Sequence, residues 1–99
     1  MSEDNQILIP ASFVALYQPE GRPKPSIPRE ALAQRYELCE DMAQMLTETA
    51  SMQLHGLGIT ESDVLQRCRQ GLLAEPAVVS ADEAGWVVTR LAELLGWPR

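Results

Sequence analysis

The longest segment of this chain without an internal proline or glycine lies between Pro28 and Gly56, and it constrains the fold most. Proline is tolerated in the first turn of an α-helix, so Pro28 can begin one. Apolar side chains then recur at alternating spacings of four and three residues, which places them on one helix face. They are Leu32, Tyr36, Cys39, Ala43, Leu46 and Ala50. The pattern predicts a helix roughly 40 Å long over residues 28–55.

A second apolar row lies beside the first on the same predicted helix. It consists of Ala31, Leu38, Met42, Met45 and Met52. A helix of this length exceeds the usual three to four turns. We therefore expect either a kink or a part of the helix that faces another chain.

The residues that follow predict a joint between two helices. Gly56 is expected at the first position after the long helix, where glycine accepts a left-handed conformation, with Leu57 next to it packing on Met52. Thr60 suits the cap of the next helix, and Asp63 three residues later approximates a capping box. The flanking pair Ile59 and Val64 can form a hydrophobic staple.

Two further helices are predicted in the second half of the chain. The third covers about residues 61–70, and the fourth covers residues 81–95 with an apolar stripe on one face. Small polar residues and glycines lie at the expected ends of both helices. The residues expected at their ends are Gly71, Ser80, Glu83 and Gly96.

The N-terminal region predicts little regular structure. Residues 1–6 are polar and expected to be a frayed tail. Pro10 can begin a helix of one or two turns, whose Phe13 and Tyr17 must dock on something larger. Residues 18–28 hold four prolines and predict a semi-rigid extended connector. A ligand for SH3-like grooves is the alternative for this stretch.

Length and composition bound the class of protein. Ninety-nine residues, rich in Ala, Leu, Val and Met, predict one all-α domain over residues 1–99, a small helical bundle. The net charge of −6 argues against nucleic acid, because phosphate binding relies on clustered Lys and Arg. No apolar run is long enough for a membrane span, and the acidic N-terminus lacks a signal peptide's hydrophobic stretch. We expect a cytoplasmic protein with reduced Cys39 and Cys68.

No residue pattern indicates catalysis, a cofactor or a metal. Gly56 and Gly58 begin a dinucleotide motif, but Glu61 stands where its third glycine belongs. The only lysine lies between two prolines, so there is no P-loop. One histidine and two separated cysteines do not make a zinc site. Cysteine–histidine catalysis stays open, because such pairs meet only in space.

Two tryptophans leave a choice between core and interface. Trp86 lies off the apolar stripe of the fourth helix, four residues before Arg90, which is compatible with a cation–π contact. Tryptophan is also enriched in binding hot spots. Trp86 and Trp97 are therefore candidates both for core packing and for a partner surface.

The segments "IPASFVALYQP", "RYELCEDMAQ", "GITESDVLQRC" and "VVSADEAGWVVTRLAELLGW" resemble a group of short, uncharacterised proteobacterial proteins. Some members of that group are labelled "ATPase with chaperone activity". The resemblance carries over no catalytic residue. Because the chain lacks a nucleotide-binding loop, what the resemblance implies is a small binding partner of an ATP-dependent chaperone rather than the ATPase itself.

These observations predict a protein–protein interaction or adaptor module with an unidentified protein partner. The candidate interface comprises Leu38, Met42, Met45, Met52, Trp86 and Trp97. The two shorter helices cannot cover both apolar rows of the long helix, and exposed apolar patches mark interaction sites. We predict a weak homodimer through the methionine-bearing side. In the alternative, a monomer covers Met42 and Met45 with Phe13 and Tyr17. A partner of a chaperone ATPase and a small cysteine-dependent enzyme are the alternative functions.

Overall fold

The structure is a computed structural model that describes residues 8–98, and no strand occurs in that part of the chain. Helix α1 covers Ala11–Val14 and continues as a 3-10 turn over Ala15–Tyr17. Three longer helices follow: α2 at Arg29–Leu57, α3 at Glu61–Leu73 and α4 at Ala81–Leu95. The predicted all-α fold is confirmed, whereas the predicted frayed tail at residues 1–6 lies outside the described residues.

Contacts divide the chain into two units, one up to Glu37 and one from Leu38 onward. The first unit buries Phe13 and Leu32. The second unit has a core cluster of its own, formed by Ala50, Val64, Cys68 and Leu91. That residues 1–99 form one domain stays a prediction.

In the first unit, the short N-terminal helix is held by aromatic contacts. Phe13 is fully buried, with its ring centroid 5.9 Å from that of Tyr17 and 5.6 Å from that of Tyr36. Tilted and edge-on rings at such distances attract each other. Because α1 has only four residues, it depends on this packing against the first turns of α2. The predicted docking of its aromatic side chains is confirmed.

The proline-rich connector forms a closed loop, and the prediction of an extended segment was wrong. The N–H of Ser26 donates to the carbonyl oxygen of Tyr17 at 2.6 Å, which joins the two ends of the loop. A turn precedes it, in which the N–H of Arg22 donates to the carbonyl oxygen of Pro19 at 3.1 Å. Gly21, the third residue of that turn, has a φ of 79°. A glycine there reverses the chain, which the prolines alone would keep extended.

In the second unit, the first apolar row of α2 packs inward as predicted. Cys39, Ala43 and Ala50 are fully buried, and so are Val87 and Leu91 of α4. The side chains that α2 contributes here are small, so its backbone can approach the larger side chains of the other helices. The period of the row therefore identified the buried face correctly.

The end of α2 differs from the prediction. Gly56 lies inside the helix, which continues to Leu57, and Gly58 takes the left-handed conformation with a φ of 65°. Leu57 and Met52, which were predicted to pack on each other, are 54% and 65% exposed. The predicted cap is confirmed: Thr60 Oγ1 accepts a hydrogen bond from the N–H of Asp63 at 3.0 Å. Gly58 is the nearer glycine to that cap, so the chain turns there.

Gly71 was predicted to end α3, but it lies within the helix. The helix continues to Leu73, and both Leu72 and Leu73 are half-buried. An internal glycine costs about 1 kcal/mol relative to alanine. Burial of two leucines offsets a cost of that size.

Helix α4 has the predicted bounds and both predicted ends. Ser80 Oγ accepts from the N–H of Glu83 at 3.1 Å, and Glu83 Oε1 accepts from the N–H of Ser80 at 2.9 Å. At the other end Gly96 has a φ of 72°. The N–H of Trp97 donates to the carbonyl oxygen of Ala92 at 2.8 Å, which completes a Schellman motif. Both ends thus satisfy backbone groups that the helix itself leaves unpaired.

Candidate interaction surface

The second apolar row is only partly covered within the second unit. Leu38, Met42, Met45 and Met52 form what we call the methionine row. Met45 is 75% exposed and Met52 is 65% exposed, whereas Leu38 and Met42 are half-buried. The alternative in which Phe13 and Tyr17 cover Met42 and Met45 stays a prediction.

The methionine row has the spacing of a helix-packing seam. Its positions are separated by four, three and seven residues, and Thr49 fills the gap between Met45 and Met52. Such a repeat keeps one narrow stripe on the same side of a helix, as in a coiled coil. From Leu38 to Met52 the stripe is roughly 20 Å long. Its shape suits the apolar face of another helix.

Acidic residues follow one edge of the methionine row. Asp41 and Glu48 are exposed, and each lies three or four residues from a member of the row. Residues at that spacing are neighbours on a helix surface. Between Tyr36 and Gln66 the sequence contains neither lysine nor arginine. No ion pair in the described part of the chain involves Asp41 or Glu48.

A third carboxylate of α2, Glu40, is neutralised within the unit. Arg90 Nε lies 2.9 Å from Glu40 Oε1, and Arg90 Nη2 lies 3.1 Å from Oε2. The hydrogen bonds from Arg90 lower the pKa of Glu40 below its usual 4.5, although burial opposes them, and a bond from Gln44 at 2.8 Å adds to the effect. This pair joins α2 to α4 and distinguishes Glu40 from Asp41 and Glu48, which have no such partner in the described part of the chain.

The tryptophans do not share one environment. Trp97 packs against the core cluster and is half-buried, which favours the core alternative for that residue. Trp86 is half-buried as well. The guanidinium of Arg90, four residues further on, is engaged by Glu40 and by Glu93 at 3.4 Å. Whether Trp86 belongs to an interface stays a prediction.

The residues considered for chemistry differ in their exposure. Cys39 is fully buried and Cys68 is 7% exposed, and burial raises the pKa of the Cys68 thiol. The thiolate is the reactive form of cysteine, so a raised pKa lowers its reactivity. His55 is exposed in the last turn of α2. Residues 8–98 contain no group of three or more side chains arranged to hold a metal ion.

Sequence reasoning missed the Glu40–Arg90 pair. Its members are fifty residues apart, so no local spacing signals their contact. The sequence shows several acids on α2, but no local pattern distinguishes one from another. Glu40 differs from Asp41 and Glu48 in its ion pair with Arg90, which only the structure shows.

Comparison with known proteins adds no assignment to this surface. No family model, curated protein or solved structure matches the chain. Within the described residues, no helix is both long and apolar enough to cross a membrane.

Proposed function

We propose that this protein is a protein–protein interaction module, an adaptor within a larger bacterial complex in the cytoplasm. The observation that carries the proposal is the exposure of Met45 and Met52, at 75% and 65%, on a helix whose other apolar face is buried. In this proposal an unidentified protein partner covers the methionine row.

The methionine row can supply binding energy without a rigid pocket. Burying a methionine side chain completely stabilises a complex by about 1.5–3 kcal/mol. Methionine is unbranched and polarisable, so it adapts to the shape of the surface it meets. Met45 and Met52 therefore suit a contact that forms and dissociates.

A partner of an ATP-dependent chaperone is the second candidate, and it rests on the resemblance described above. The lack of a nucleotide loop favours a binding partner rather than an ATPase. Titration with ATP and Mg²⁺, followed through backbone amide chemical shifts, is expected to show no saturable change. Saturable shifts would contradict this assignment and indicate a nucleotide site.

The third candidate, a cysteine-dependent enzyme, has less support. Both thiols are buried, and the pKa of Cys68 is raised rather than lowered. An enzymatic activity that disappears in a folded Cys68→Ser variant would be needed to support this candidate.

Co-purification from native cytoplasm, analysed by mass spectrometry, tests the main proposal. A Met45→Gln/Met52→Gln variant removes the exposed thioethers without touching the core cluster. The matched control, Leu8→Gln/Val78→Gln, removes two apolar side chains that are 91% and 57% exposed elsewhere.

We expect wild type and the control to recover the same partner and the methionine variant to lose it, with unchanged circular dichroism. Equal recovery by all three proteins, or no reproducible partner, would count against the proposal.

A further inference from the structure

We infer that the occupant of the methionine row is a basic amphipathic helix of another protein, with apolar residues on one face and Lys or Arg along its flank. The inference rests on the proposed function and adds the chemistry of the partner. It is carried by the acidic edge of the row, which the apolar side chains alone do not explain.

The acidic side chains beside the methionine row can form ion pairs with cations of a partner protein. Asp41 and Glu48 are seven residues apart, so they lie on the same edge of α2. Arg90 already engages Glu40, and no described cation pairs with Asp41 or Glu48. A helix laid along the row would bring its flanking residues next to both carboxylates. Lys or Arg at those flanks would form two ion pairs, whereas Asp or Glu would be repelled.

A second copy of this chain fits the acidic edge less well. Residues 36–66 contain no Lys or Arg, so this segment of a second copy supplies neither of these side chains in either orientation. In an antiparallel pair centred near Thr49, Glu48 would meet its own counterpart. Each copy also carries a net charge of −6. The homodimer predicted from the sequence is therefore a competing outcome of the test.

A helix is favoured over an extended peptide because of how the surface is built. An extended peptide usually binds by adding a strand to a sheet edge, and residues 8–98 contain no strand. Within α2 the backbone groups are engaged by the helix. The methionine row is an apolar stripe of helical period. A second helix can pack along it with side chains at matching intervals.

A displayed library of helical peptides provides the probe. Each peptide has about three heptads, with Leu at the seam positions and Lys, Gln or Glu varied at the flanks. It is selected against four proteins: wild type, Met45→Gln/Met52→Gln, Asp41→Asn/Glu48→Gln, and Glu20→Gln/Glu75→Gln. The last is a matched control, since it removes two exposed acids outside α2.

We expect wild type and the matched control to enrich peptides with Lys at the flanks. The Asp41→Asn/Glu48→Gln variant should still enrich apolar helices but lose the preference for Lys. In fluorescence anisotropy, an isolated Lys-flanked peptide should bind this variant about fivefold more weakly, the effect of two exposed ion pairs. That difference should shrink as salt is added. The methionine variant should enrich nothing above background.

The possible failures are distinguishable. Enrichment of Gln- or Glu-flanked helices as strongly as Lys-flanked ones would overturn the basic partner and leave the methionine row as a docking surface. No enrichment on wild type, or equal enrichment on the methionine variant, would overturn both proposals. A dimer of the wild type in sedimentation, absent from the methionine variant, would make a second copy the occupant and refute the inference.

Discussion

The contact between Glu40 and Arg90 predicts a measurable coupling between α2 and α4. Two unit charges about 3 Å apart attract by roughly 1.4 kcal/mol at the dielectric constant of water and roughly 5 kcal/mol at an effective constant near 20. Exposed pairs retain only about 0.2–1 kcal/mol. The side chains of Glu40 and Arg90 are 18% and 34% exposed, and two nitrogens of Arg90 meet two oxygens of Glu40. Because water still reaches Arg90, we expect a coupling of about 1.5 kcal/mol.

A double-mutant cycle measures that coupling. Free energies of unfolding are obtained by urea denaturation, followed by circular dichroism, for wild type, Glu40→Gln, Arg90→Met and the double variant. Methionine keeps the apolar stem of the arginine side chain, so lost packing contributes little. Glu93→Gln is the control: Glu93 lies 3.4 Å from Arg90 with a 51% exposed side chain, and its removal should cost less than about 0.5 kcal/mol.

The coupling should also depend on pH in one direction. Since the folded-state pKa of Glu40 lies below 4.5, the ion pair contributes its full stability above that pH. The contribution is lost as the pH falls through the folded-state pKa. A coupling below about 0.3 kcal/mol at neutral pH, or one that does not fall as the solution is acidified, would refute the electrostatic account.

Three further changes test the local structure by thermal or urea denaturation. Gly56→Ala should stabilise the protein by about 0.5–1 kcal/mol because it lies inside α2, and Gly58→Ala should destabilise it by about 1 kcal/mol because of its positive φ; the reverse order would mean that α2 ends at Gly56. Ser80→Ala should cost about 1 kcal/mol through loss of the helix cap, and a neutral result would show that the capping bonds contribute nothing. Gln53→Met should stabilise by about 1 kcal/mol, because Gln53 Oε1 is buried and accepts no hydrogen bond from the described residues, whereas a loss of stability would indicate a missed donor.

Local signals in the sequence were sufficient for α4 and insufficient for the end of α2. At α4 the sequence offers one candidate for each end, the Ser80–Glu83 pair and Gly96. The structure shows the reciprocal capping bonds of the pair and the left-handed conformation of Gly96. After α2, two glycines stand two residues apart, and either can adopt a left-handed conformation. The structure shows that Gly58 does so, two residues before the Thr60 cap.

Long-range contacts explain the other differences between prediction and structure. The connector closes because the N–H of Ser26 reaches the carbonyl oxygen of Tyr17, a bond that no proline pattern encodes. The Glu40–Arg90 pair likewise forms only once α2 and α4 are packed together. The methionine row, in contrast, could be predicted from the sequence alone. Its spacing and the shorter lengths of α3 and α4 both follow from sequence patterns.

The sulfur atoms of this chain are unequally accessible to oxidants. Met45 and Met52 are largely exposed, whereas Cys39 is fully buried and Cys68 nearly so. Treatment with dilute hydrogen peroxide should therefore form methionine sulfoxides first, detectable by mass spectrometry while the circular dichroism stays unchanged; early modification of either cysteine would contradict this order. A sulfoxide turns an apolar side chain polar and is reversed enzymatically by dedicated reductases. Oxidative damage would thus fall on the proposed binding surface before it reached the core, and it would be of a kind that a cell can repair.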